Sequence, residues 1–342
     1  MPKSIRAWYQ WILVFCSIAC YLMVYSRYLE PLSHSYPAIL PTHYWVEDGW
    51  LNLTTIGRGQ SEAERSVGVG VGLSVGHRLY GLVAEQDLPW FAHPPVDLDD
   101  LRTRFGADRL INAFRTTLPD PILQEEHNVA IAASYLAGTT VQPQEVFSLN
   151  HAIGPRTKAR GFGPGPLYVN GTIDSTIGGG ICKVATTIYN LAIHSDLPVI
   201  ERHPHSMLVP YVPPGRDATV LWGSKDLQFI NNREHPLVIW AEVRDYTLYI
   251  AIYGQYDPPL IEWYSEEISR IPTWTIRRTN TNLKPGETRL VEGAEGIWVK
   301  TWINIDYPSL PLVQKYLGMD AYRPLPNYLE YGPKPRSGST GG

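Results

Sequence analysis

The apolar run from Trp8 to Tyr25 constrains this 342-residue chain more than any other feature, because its only strongly polar members are Gln10 and Ser17. A helix over it is roughly 27 Å long, close to the hydrocarbon thickness of a bilayer. Trp8, Tyr9 and Trp11 at one end and Tyr25 and Tyr28 at the other stand where interfacial aromatics belong. The run predicts an uncleaved transmembrane signal-anchor over residues 1–28, since no A-x-A site follows a short apolar region. Tyr21 to Val24 keep the chain apolar after Cys20, which argues against a lipoprotein cleavage there. Lys3 and Arg6 precede the run, so the N-terminus is expected in the cytoplasm and the C-terminal part outside the cell membrane.

Composition then narrows the function. Charged residues are 18% of the chain, the formal net charge is -4, and no Lys/Arg cluster exists, so nucleic acid is excluded as a partner. Hydrophobic residues at 44% are enough for a real core. Cys16 and Cys20 lie inside the apolar run and leave Cys182 alone downstream, so no disulfide framework is expected there. Metal-ligand spacings such as C-x-x-C or H-E-x-x-H are missing, and no P-loop or G-x-G-x-x-G opens a helix; neither a metal nor a cofactor is expected.

Along the chain, prolines at 31, 37 and 41 mark residues 29–60 as a linker. Residues 61–125 form the first part of the ectodomain. There Val67–Val75 alternates Val/Leu with Gly/Ser as a strand does, and residues 97–118, opened by Asp97, have the spacing of one or two short amphipathic helices. Glu125–Leu136 predicts a helix with Val129, Ala132, Ala133 and Leu136 on one face. From 217 to 254, and again from 272 to 305, short apolar and polar alternations between turn signals predict antiparallel strands. Residues 257–332 are expected as a β-rich extension and 333–342 as a disordered tail. The fold class is α+β: antiparallel sheets with a few helices, after one N-terminal transmembrane helix.

Gly178-Gly179-Gly180-Ile181-Cys182 leads into a stretch whose Val184, Ile188, Leu191 and Ala192 have helical spacing. A glycine turn at a helix start places unpaired N–H groups and the positive dipole end beside Cys182, favouring its thiolate. Gly179 and Gly180 can also offer N–H groups to a developing oxyanion. The competing reading is a small buried hydrophobe. A nucleophilic thiol needs a base, and His203 and His205 flank Pro204. His205 is favoured, because Ser206 and the following V-P-Y place it beside the rest of the motif; His203 is the reserve. Asp217 can orient the histidine, and Arg216 can hold a substrate carboxylate, or the two can pair internally at a turn. Arg156 and Arg202 admit the same two readings. Lys183 adds positive potential beside the thiol. Asn150 and Asn170 read as turn residues, Asn170 with Gly171 as a hairpin signal.

The chain also reads N-x-A-I-A-A-S-Y-L-A-G-T from Asn128, V-F-S-L-N-x-x-I-G-P-R-T from Val146, G-F-G-P-G-P-L-Y-V-N-G from Gly161 and I-G-G-G-I-C-K-V-A-T-T-I-Y-N from Ile177. E-R-H-P-H-S, V-P-Y-V-P-P-G-R-D-A-T-V and D-L-Q-F-I-N-N follow. This series resembles the VanW family, over a domain placed at residues 126–256. Two positions depart from its pattern: Lys183 stands where Gln follows the cysteine, and Gln144 replaces a Gly before Phe147. The resemblance implies an extracytoplasmic peptidoglycan enzyme, a cysteine L,D-transpeptidase. Cys182 would attack the third residue of a donor stem tetrapeptide and His205 would serve as base and acid. Peptidoglycan stem peptides would be its partners, with the membrane reached through the N-terminal helix. The rival from another class is a non-catalytic wall-binding or accessory subunit, for which Trp45, Trp50 and Trp90 would be contacts.

Overall fold

In the computed structural model the described residues are 43–46, 49–52, 79–117, 123–169 and 172–334. The expected membrane helix, the Val67–Val75 strand, Asn170-Gly171, Cys16, Cys20 and most of the tail lie outside them. Among the described residues no helix is long and apolar enough to cross a membrane.

Strands β1 (His43–Val46) and β2 (Gly49–Asn52) pair with each other as an antiparallel hairpin, Trp45 opposite Trp50, within the stretch expected as a linker. From residue 79 onward come β3 (Tyr80–Leu82), α1 (Val96–Phe105), β4 (Arg109–Thr117), α2 (Leu123–Leu136), β5 (Thr139–Val141), β6 (Val146–Ser148) and α3 (Leu149–Ile153). Next are β7 (Pro164–Val169), β8 (Thr172–Ile177), α4 (Ile181–His194), β9 (Val199–Glu201), β10 (Gln228–Ile230), β11 (Leu237–Arg244) and β12 (Thr247–Gly254). The extension holds β13 (Leu260–Ile271), β14 (Thr275–Thr279), β15 (Thr288–Val291), β16 (Gly296–Asp306), β17 (Val313–Tyr322) and β18 (Asn327–Tyr331). Mostly antiparallel sheets with few helices make this an α+β fold.

A five-stranded antiparallel sheet, ordered β3-β4-β12-β11-β5, is the frame. Strand side chains alternate between faces, and the two faces have separate cores. Ile239, Ala241, Leu248, Ile250 and Ile252 face the main core under α2 and α4. Val238, Trp240, Ala251 and Tyr253 face a second core with Leu98 of α1 and Trp90. Trp90 is thus a core residue rather than a contact surface, and its indole N–H donates to the Tyr253 hydroxyl at 2.7 Å.

Residues 97–118 do not stay helical as their spacing predicts. Gly106 adopts a left-handed conformation (φ 62°) that ends α1, and the next residues pair along β12 as β4. Long-range strand pairing overrides the local helical spacing there. The predicted helix at Glu125–Leu136 is α2, with Val129, Ala132, Ala133 and Leu136 all buried. Residues 218–222, expected as a strand, form only a bridge between Leu221 and Lys225. In the extension, β14 runs parallel to β18, not antiparallel as the local turns suggest. Gln144, the departure from a family glycine, sits at φ 65°, where a glycine carries no steric cost.

The extension is not a loose appendage. The inner face of its sheet β13-β16-β17 places Ile261, Trp263, Ile303 and Ile305 in the main core, and Trp263 meets Tyr189 of α4 edge-on at 5.3 Å.

Candidate active site

The site is built on α4, which is buried on nearly every side between α2, the sheet and the extension. The helix begins at Gly180 (φ 101°) after a turn in which Gly178 also has positive φ (80°). Gly179 lies against the backbone of the β7–β8 hairpin: a Cβ there would stand 2.2 Å from the Gly165 carbonyl carbon. Asn128, fully buried on α2, fastens this contact. Its amide donates to the Gly179 and Gly163 carbonyls (2.9 and 3.0 Å) and accepts from Gly163 N–H (2.8 Å). These contacts set where Cys182, the second residue of α4, projects.

Cys182, Thr186 and Asn190 recur every four residues, so they share one helix face. That face grips the segment 216–220 in reverse order. The Asn190 amide donates to the Arg216 carbonyl (2.7 Å), Thr186 Oγ1 exchanges bonds with the Ala218 backbone (3.0 and 3.1 Å), and Cys182 Sγ lies 3.1 Å from Thr219 Oγ1. Asp217 is carried in this clamped segment, fully buried, and points back toward the sulfur's neighbour, His205. The His205 ring lies beside the Cys182 sulfur, close enough for its proton and charge to act on the thiol. Its Nδ1 and its backbone N–H each lie 2.7 Å from Asp217 Oδ2, which leaves Nε2 for the sulfur.

Electrostatics follow from this order. Burial pushes the Cys182 thiol up, but the hydrogen bond and charge of His205, with Thr219 and the Val220 carbonyl adding less, bring it down to about 7. Burial alone would lower His205; its bonds to Asp217 and Cys182 outweigh that and raise it to about 9. Burial also disfavours the Asp217 anion, yet His205, Arg202 and Tyr322 hold its carboxyl below the usual range. The pair therefore favours thiolate and imidazolium, the state a cysteine nucleophile needs.

The other expected residues divide. His203 bonds Glu201 (Nε2 to Oε1, 3.0 Å) on a half-exposed surface and is not the sulfur's partner. Arg216 neither pairs with Asp217 nor opens to a substrate: it donates to the Trp263 carbonyl (2.6 Å) and lies over that ring, because the clamp turns its side chain toward the extension. Asp217's arginine is Arg202, at 3.3 Å. Lys183 does not add its charge at the thiol; it is buried, 3.1 Å from Glu125 and over the Tyr211 ring. Ser206 is exposed, and its carbonyl accepts from Arg323 N–H. Arg156 is anchored to Asn150 Oδ1 (2.6 Å), packs over Trp222 and lies close enough to feel the Cys182 charge. Asn150, expected in a turn, is instead a hub in α3 that also donates to the Lys225 carbonyl. An open cleft of about 450 Å³ runs beside it, lined by Asn150, Glu201, Trp222 and Asp226 among others. Thr219, Asn128, Thr186 and Asn190 were not singled out from sequence, although the last three are polar residues on helices with otherwise apolar faces, which is a readable signal. No cluster of three His, Cys, Asp or Glu suited to a metal occurs among the described residues.

The VanW-like protein family matches residues 124–253, a span that holds Cys182, His205 and Asp217. Uncharacterized protein YoaR of Bacillus subtilis (strain 168) is 39% identical over 128 residues, 37% of this chain and 42% of YoaR. Vancomycin B-type resistance protein VanW of Enterococcus faecalis (strain ATCC 700802 / V583) is 26% identical over 147 residues, 41% of this chain and 53% of that protein. The chain spans about half the length of the curated relatives it matches. Among solved structures, an IgA1 protease G5 domain matches at 21% identity over 24% of this chain and 100% of that one, with a TM-score of 0.16. The HP0197 G5 domain matches at 16% over 21% and 97%, with a TM-score of 0.13. Residues 124–253 therefore carry a VanW-like domain.

Proposed function

We propose that this protein is a cysteine acyltransferase of the bacterial cell wall, an L,D-transpeptidase that acts on peptidoglycan stem peptides from a membrane-anchored position outside the cytoplasm. The observation that carries the reading is Cys182 at the start of α4 beside a His205 whose ring is bonded to buried Asp217. The similarity to a vancomycin B-type resistance protein and the N-terminal apolar run support the wall as the setting.

In this mechanism the Cys182 thiolate attacks the carbonyl carbon at the L-centre of the third stem residue. The tetrahedral oxyanion forms at the positive end of α4. The carbonyl–nitrogen bond to the terminal D-Ala then breaks, and the His205 imidazolium gives its proton to the departing amine. A thioester remains. The amine of a neighbouring stem attacks it, passes its proton to His205, and leaves as a 3-3 cross-link with the thiolate restored.

The test is incubation of the full chain with disaccharide tetrapeptide, followed by mass analysis. Wild type should release D-Ala and form cross-linked dimer, whereas Cys182→Ala should do neither. Equal products from both proteins would refute the enzyme. A non-catalytic wall-binding role is the second reading, favoured by the aromatic row Tyr264, Trp302 and Tyr316 across the outer face of β13-β16-β17. It predicts wall retention unchanged by Cys182→Ala and no product from wild type.

A further inference from the structure

Asp320 and Tyr322 lie on β17, about 70 residues beyond the end of the family match at 253, yet Tyr322 reaches the carboxylate behind His205 and Asp320 reaches the arginine paired with it. The Tyr322 hydroxyl accepts from Gly215 N–H at 2.7 Å and donates its single proton to Asp217 Oδ1. Asp320 takes both of its hydrogen bonds from Arg202 Nη1, at 2.6 and 2.7 Å. The same guanidinium donates through Nη2 to Asp217 Oδ1 (3.3 Å) and through Nε to the Asp217 backbone carbonyl (2.8 Å). Asp217 thus accepts on Oδ1 from Tyr322 and Arg202 and on Oδ2 twice from His205, which leaves its carboxylate no free direction to rotate.

We infer that Tyr322 and Asp320 of the C-terminal extension are positioning residues for the Cys182–His205 pair, acting through Asp217 and Arg202, so that the site is completed from outside the VanW-like domain. This rests on the cysteine-nucleophile reading above. A contact that only docked the extension would need apolar area, and Trp263, Ile303 and Ile305 already provide it. Instead β17 sends a fully satisfied hydroxyl to Asp217 and a carboxylate to the Arg202 that pairs with it. Asp217 and Asp320 against Arg202 leave one negative charge in excess behind His205, which favours the proton on the histidine rather than on Cys182. The groups facing His205 are Cys182 from α4, Asp217 from the clamped segment, Arg202 from the end of β9, and Asp320 and Tyr322 from β17. Arg156 and Tyr211 act on the sulfur itself.

The experiment uses the full chain and two near-isosteric variants, Asp320→Asn and Tyr322→Phe, with thermal melting to show that each is folded. The rate of Cys182 alkylation by iodoacetamide, read on the Cys182 peptide, is followed against pH. Asp320→Asn removes a negative charge, so the imidazolium is less favoured and the thiolate midpoint should rise by about one pH unit. Tyr322→Phe frees Asp217 Oδ1, so the low-field proton resonance of the His205–Asp217 bond should be lost and turnover should fall at unchanged KM. Folded variants that keep both the wild-type midpoint and the resonance overturn the inference while leaving the nucleophile reading intact. A wild-type midpoint at the ordinary thiol value of about 8.5 would defeat both.

Discussion

His205 Nδ1 and His205 N–H both lie 2.7 Å from the same oxygen of Asp217, so one buried carboxylate oxygen fixes the backbone and the ring of the histidine that faces Cys182. Two bonds from one residue to one atom leave the imidazole a single orientation and a single tautomer, Nδ1–H toward Asp217. The segment carrying Asp217 is in turn clamped by the face of α4 that carries the cysteine, so Cys182, Asp217 and His205 are held as one unit.

The first prediction is a bounded pH window. The thiol lowered to about 7 keeps Cys182 ionised down to near neutrality, and His205 raised to about 9 keeps its proton up to that pH. Activity should rise through about 7 as the thiolate forms and fall through about 9 as the imidazolium is lost, the two limbs belonging to the coupled pair. A rate profile of D-Ala release against pH checks this; a single rise near the ordinary thiol value contradicts it.

The two histidines should separate cleanly. His205→Ala should cut turnover by about 10²–10⁴-fold, the usual contribution of a general acid–base group. His203→Ala, which loses only a half-exposed bond to Glu201, should leave turnover within about twofold. Steady-state kinetics on purified variants decide it.

Asp217→Asn should lower turnover by about 10³-fold through loss of histidine orientation, and should cost about 3 kcal/mol because Arg202 keeps its charge in a buried site with one partner fewer. Since the native carboxyl is held below its usual range, its stabilisation is complete above the unfolded value of about 4 and is lost as pH falls through the lower native value. Wild type should therefore lose stability below about pH 4 more steeply than Asp217→Asn, as followed by denaturant midpoints across pH.

Gly179→Ala would place a methyl group 2.2 Å from the Gly165 carbonyl carbon, a backbone atom that cannot step aside. The turn or the β7–β8 hairpin must shift, at a cost of about 1–3 kcal/mol or more, and Cys182 moves with it. Calorimetry should show a lower Tm together with slower Cys182 alkylation; an unchanged Tm would contradict the close approach.

Lys183→Leu should strip Glu125 of its buried partner and cost about 2 kcal/mol, less than a fully enclosed pair because the Glu125 side chain is 14% exposed. Lys183→Gln restores the family's residue type and keeps a donor for Glu125, so its loss should be under about 1 kcal/mol. Chemical denaturation of the two variants ranks them, and equal losses would show that the pair does not matter.

Much of the site was legible because local chemistry demanded it. Three glycines before a cysteine and a helical apolar pattern after it predict the turn, the start of α4 and a thiol at that start, and H-P-H with a following Asp offers a base and its orienting group. The helix at Glu125–Leu136 follows likewise from its spacing. By contrast, residues 109–117 carry helical spacing and become a strand because β12 lies beside them to take their hydrogen bonds. Which histidine lies beside the sulfur is set by His205 bonding buried Asp217 while His203 bonds Glu201. The arginines show the same limit most clearly. Arg216 sits next to Asp217 in sequence, but adjacent residues on an extended segment point apart, so Arg216 faces Trp263 while Arg202 supplies the pair. Asp320 and Tyr322 are separated from Asp217 by about a hundred residues and join it only where β17 packs against the site. The sequence by itself determined the candidate thiol, its helix and the pool of candidate partners, since these follow from neighbours along the chain. Which members of that pool surround the thiol was decided by tertiary packing, because burial lets a charged group stay only where a specific partner meets it.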